Sequence, residues 1–187
     1  IKAIEFETYA NRKNRELAIN YSATPSGLRR CFMLRSDIEK DTLQEILYNL
    51  PGNLRHSECA KAIKEHIATS QIEEGAEFVP IDVVDTHGNK FVWDEHRNKN
   101  ILLIYGGLGC MGRSGRRELA ALREEYTGDS LAILVYYSVS TLEELKEFRN
   151  QYSEDYIFIS ELMSDYSPFK IKYGVQSTPT CFVIDRS

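Results

Sequence analysis

What the chain lacks narrows the field first. No apolar run among its 187 residues approaches the ~18 that a membrane-spanning helix needs. Positive charge is not in excess: 23 Lys and Arg face 28 Asp and Glu, for a net charge of -5 and a pI near 5.5. Phosphate binding needs a basic face, so the balance argues against nucleic acid as the main partner. Cysteine is scarce and unpaired. Cys31, Cys59, Cys110 and Cys181 sit far apart, without metal-ligand spacing and without the density of a disulfide-framed scaffold. The four histidines, His56, His66, His87 and His96, are equally scattered, so neither a zinc site nor another cofactor is expected. There is no initiator methionine and no secretion signal. The chain opens at Ile1 and stops at Ser187, two residues after an apolar run, and it reads as a piece of a longer protein. Repeats and low-complexity segments are missing too.

What remains is ordinary globular material, 42% hydrophobic and 27% charged, long enough for one domain and an accessory segment. Residues 1–74 read as a helical region and residues 75–187 as a separate domain. In the first part, Pro25 separates two helices, and Asp41 with Gln44 forms a capping box for "DTLQEILYNL". Pro51 and Gly52 stop that helix. Ser57 caps the next, which carries Ala60, Ile63 and Ile67 as its apolar stripe.

From Glu77 onward the period changes. "FVPIDVVDTHGNKFVW" predicts two strands joined by a His-Gly-Asn turn. "NILLIYGG" and "LAILVYYSV" are continuous apolar runs, as buried parallel strands are. Between them "GRRELAALREEY" has helical spacing through Leu119, Leu122 and Tyr126. Ser140 and Glu143 make a capping box for a helix bearing Leu142, Leu145 and Phe148. Ser167 and Pro168 open another helix, and "TCFVID" is a third strand. Such alternation predicts an α/β sandwich with a parallel core.

In parallel α/β units, reactive groups collect beyond the carboxyl ends of the strands. Cys110 lies there, at a joint loosened by Gly106, Gly107 and Gly109 and facing the start of a helix. Unpaired amides at that helix end, with Arg113, Arg116 and Arg117 nearby, favour thiolate over thiol. A second feature is "QSTPTCFVID", where Thr178-Pro179-Thr180 precedes a strand. A proline there suits a tight, cis-prone connection and shapes a groove for an extended peptide. Cys181, between apolar neighbours, is expected at a buried sheet position. His87 and His96, in polar turns, are expected to face water. Cys31 and Cys59 are read as core or surface positions, with a mutual bridge left open.

Together, a buried strand, Cys110 at a helix start and "Y-G-V-x-S-T-P-T-C-F-V-I-D" resemble the thioredoxin-like superfamily. The similarity is to its bacterial cell-envelope branch of TlpA/ResA-like and AhpC/TSA-type proteins, and it spans about residues 75–185. The turn Asp85-x-x-Gly88 also fits that branch. The resemblance implies a thioredoxin-like three-layer sandwich preceded by a helical region, with the C-terminal end of the fold missing from this chain. It implies Cys110 as the attacking cysteine and Pro179 as the cis-proline beside it, with Arg113 supporting the anion. Gly109, Met111, Thr178 and Thr180 would line the substrate groove. Partners would be protein or small-molecule thiols and disulfides, and the setting the periplasm or cell envelope.

The chain also departs from that pattern. Gly109 replaces the usual tryptophan, Ile104 stands where a buried carboxylate is frequent, and Arg113 replaces the second cysteine of Cys-x-x-Cys. A dithiol mechanism is therefore excluded. A monothiol thiol-disulfide oxidoreductase is the leading expectation. The alternatives are a peroxiredoxin-like peroxidase, which would normally carry Pro and Thr where Leu108 and Gly109 stand, and a binding module that has lost catalysis.

Overall fold

A computed structural model describes residues 2–126, 130–152 and 156–186, so the terminal residues Ile1 and Ser187 lie outside the described part. The chain forms two compact units, one of residues 1–73 with 168–174 and one of residues 74–167 with 175–187.

The first unit holds α1 (Lys2–Asn20), α2 (Pro25–Met33), α3 (Lys40–Asn49), α4 (Glu58–Ala68) and the short α7 (Pro168–Lys172). Pro25 occupies the first turn of α2, where its missing N–H costs nothing, and the Thr24 hydroxyl accepts from the Gly27 amide. Ser57 caps α4 through the Ala60 amide, as its position predicts. The Asp41 capping box does not form. The cap lies two residues earlier, at Glu39, with the helix starting at Lys40 and no side-chain cap bond. Leu28, Cys31, Phe32, Leu43 and Ile63 build the core. Arg35 is buried with them, donating to the Phe32 and Lys170 carbonyls and lying over the Phe32 ring.

The second unit is an α/β fold on a five-stranded sheet in the order β1-β4-β3-β2-β5. These strands are β1 (Val84–Asp85), β2 (Asn100–Tyr105), β3 (Leu131–Tyr136), β4 (Ile157–Ser160) and β5 (Thr180–Ile184). The parallel core β2, β3 and β4 is connected through α5 (Gly112–Glu125) and α6 (Leu142–Arg149), while β1 and β5 run antiparallel at the edges. One sheet face buries Ile104, Ile133, Val135 and Phe158 under Leu119 of α5 and Leu145 of α6.

Three further expectations are corrected. The hairpin shrinks to β1 and a single bridge from Val84 to Lys90. The Asp85 carboxylate accepts the His87 and Asn89 amides, which closes the turn, but Trp93–His96 then coils as a 3-10 turn. Aromatic packing decides this: Trp93 meets Phe78 and Phe91 and donates its ring N–H to the Ile81 carbonyl. The capping box of α6 lies one residue further on, at Thr141 and Glu144. His96 is half-buried rather than facing water, its ring stacked on Phe91 at 5.0 Å. The strand β4 is absent from the sequence reading, because "IFIS" has only four residues and shows no period.

Candidate functional site

The joint after β2 is built by close approach. Gly106 and Gly107 have φ of +93° and +82°, a region L side chains avoid. Each also faces a side chain that leaves no room for a Cβ: Thr178 against Gly106 and the Tyr137 ring against Gly107. The chain then forms a 3-10 turn, Leu108–Met111, that runs into α5. Leu108 is buried at the turn's base, while Gly109 and Cys110 are exposed at its outer side. Met111 is half-buried and packs back onto the core.

The Thr178–Pro179 peptide is cis. It brings the Thr178 hydroxyl to 3.9 Å from Cys110 Sγ, within sulfur hydrogen-bonding range, although 68 residues separate the two. Thr180, half-buried, donates its hydroxyl to the Ser177 carbonyl at 2.7 Å and so closes the turn rather than facing outward as a free group. The structure thus brings Cys110, Thr178 and Pro179 together. Arg113, Arg116 and Arg117 are exposed along α5, and none hydrogen-bonds the sulfur among the described residues.

The other thiols divide differently. Cys31 and Cys59 are buried thiols, donating to the Ala18 and Leu28 carbonyls at 3.2 and 3.3 Å. Burial pushes the Cys31 thiol up to about 11. Cys181 contradicts its expected buried place: it is exposed, as is Val183 two residues on. β5 is an edge strand of the sheet. Partial burial still holds the Cys181 thiol above its ordinary value.

Two tyrosines, Tyr137 and Tyr152, carry no signal in the sequence: "LAILVYYSV" reads as strand, and nothing in a strand pattern says which ring lies beneath a loop. Tyr137 accepts the Leu108 N–H at 3.2 Å and donates to the Tyr152 hydroxyl at 3.3 Å. Burial foremost, then the Tyr152 contact, raises the Tyr137 phenol far above its ordinary value. Ile104, fully buried, supplies no carboxylate beneath the site.

No protein-family model and no curated protein matches the chain. Among solved structures, a thiol-disulfide oxidoreductase from Bacteroides fragilis superposes with a TM-score of 0.52 at 16% identity, over 59% of this chain and 84% of the other. The fold is thioredoxin-like. A conserved protein of unknown function from Bacteroides fragilis gives a TM-score of 0.50 at 18% identity, covering 61% of this chain and 85% of its own. At such identity the thioredoxin-like likeness concerns the backbone and leaves the chemistry to the site. No metal-binding group of His, Cys, Asp and Glu occurs among the described residues, and no described helix is long and apolar enough to cross a membrane.

Proposed function

We propose that the chain is a monothiol thiol-disulfide oxidoreductase whose nucleophile is Cys110. One observation carries this: a solvent-exposed sulfur beyond the carboxyl end of a central parallel strand, beside a hydroxyl that leads into a cis-proline. Residues 75–187 carry the chemistry, residues 1–74 are an accessory helical region, and the setting is the bacterial envelope of the TlpA/ResA-like and AhpC/TSA-type proteins.

The Cys110 thiolate attacks one sulfur of a protein or small-molecule disulfide. A new S–S bond forms as the old one breaks, and the departing thiolate takes a proton from water. An external low-molecular-weight thiol then attacks the mixed disulfide and frees the second substrate thiol. A second equivalent restores Cys110, so one disulfide is reduced while two external thiols become one disulfide. Thr178, Pro179, Gly109 and Met111 line the substrate groove, and Thr180 holds the turn. Arg113, in the first turn of α5, adds positive field to the helix end.

The test uses a Cys181→Ser background, so that Cys110 is the accessible thiol. Incubation with a peptide disulfide and glutathione should give a Cys110 mixed disulfide by mass spectrometry. Cys110→Ser should lower turnover by roughly 100-fold or more, as loss of a nucleophile does. Turnover equal in the two proteins would overturn the assignment and leave a binding module. Peroxide consumption that depends on Cys110, without disulfide exchange, would favour the peroxidase instead.

A further inference from the structure

The loop that carries Cys110 is held from below by a phenol. Tyr137 is 7% exposed, its ring clamped between Phe148, stacked at 4.3 Å, and Phe158, at 5.9 Å. Its backbone is fixed as well, with its amide donating to Ile159 and its carbonyl accepting from Val139 and from the Ser160 hydroxyl. From this anchored base the phenol oxygen reaches up to the Leu108 N–H, two residues before Cys110. The ring fills the space a side chain at position 107 would need. Its hydroxyl proton goes to Tyr152, whose oxygen lies 3.7 Å from where a Cβ on Gly109 would stand.

We infer that Tyr137 is a positioning residue for Cys110, fixing the 3-10 turn so that the sulfur is presented beside Thr178. This rests on the redox role of Cys110 proposed above. The reasoning is steric and directional. A turn begun by two positive-φ glycines has few intrinsic restraints, and amides at the start of a 3-10 turn lack partners within it. A rigid aromatic acceptor supplies that missing partner at one defined height above the sheet. With the hydroxyl gone, the turn can rise or rotate, and the sulfur loses its registry with Thr178 and Pro179. Exchange with a docked disulfide requires that registry, whereas attack on a small diffusing alkylator does not.

Tyr137→Phe keeps the ring and removes only the oxygen. Hydrogen exchange of the Leu108 amide should accelerate about tenfold or more, as expected when a protecting bond is lost. Exchange with a peptide disulfide should slow by roughly 10-fold, while iodoacetamide alkylation of Cys110 changes by less than about 2-fold, the split that positioning predicts. Tyr152→Phe, which leaves the Tyr137 acceptor in place, should keep the Leu108 amide protected. Unchanged Leu108 exchange in Tyr137→Phe overturns the inference, and so does a parallel fall in both reactions. Should that variant not fold, the unaltered protein still decides: rapid Leu108 exchange there excludes the hydrogen bond. The amide measurement needs no redox activity, so failure of the disulfide assay alone counts against the role of Cys110 and not against the anchor.

Discussion

At the scale of single residues, the site depends on what two glycines permit. Gly106 and Gly107 combine positive φ with contacts that exclude a Cβ, so each is required twice over. Gly107→Ala should therefore destabilise the protein by about 1–3 kcal/mol, the usual cost of overpacking and of a strained backbone. A shift of the urea midpoint measures it, and an unchanged midpoint would mean that the Tyr137 ring has room to move. The glycines and Cys110 were legible as a joint because glycine before a helix start has few other uses. Its partners were legible unequally. Thr178, distant in sequence, was expected there only through the family resemblance, and Tyr137 is an ordinary strand residue until the sheet is assembled.

Secondary-structure elements show where local signals suffice and where they slip. Ser57 and Pro25 act at the positions predicted, because a cap bond involves only neighbours within one turn. The α6 cap is off by one: "VSTLEE" offers overlapping boxes at Ser140–Glu143 and Thr141–Glu144. The structure selects the second, with Thr141 accepting the Glu144 amide while the Glu144 carboxylate accepts the Ser140 and Thr141 amides. Which box forms depends on where Leu145 must point to be buried, a tertiary matter. Thr141→Ala should thus lower stability by about 1 kcal/mol, and Ser140→Ala by no more than a few tenths. Thermal unfolding of the two variants compares them directly, and the opposite ranking would restore the earlier box.

For the molecule as a whole, acid sensitivity follows from histidines that fold in the neutral form. His66 is 5% exposed in the helical unit. Burial first, then the Arg35 and Lys40 charges, holds it below its ordinary value, while a bond to the Arg35 backbone opposes this. Half-buried His96 is lowered likewise, by burial and then by Lys99. The unfolded chain takes up these protons near pH 6.5 and the folded one only at lower pH. Stability is then fully present above about pH 6.5 and declines as pH falls through and below that value. His66→Gln should flatten that decline between roughly pH 7 and 5 in denaturant titrations, since one of the differing proton sites is gone. An equally steep decline in the variant would exclude His66 as a source.

Local patterning alone determined the helical first part, the central parallel strands and the cysteine poised at a strand-to-helix joint. Each rests on periodicity, caps or glycine placement within a few residues. The tertiary structure decided the rest: the distance between Thr178 and Cys110, the short strand β4, the antiparallel edges, the exposure of Cys181 and the phenol under the loop. All of these depend on how distant segments meet. Their energy depends on which faces meet once the sheet has formed, and no window of sequence contains both partners.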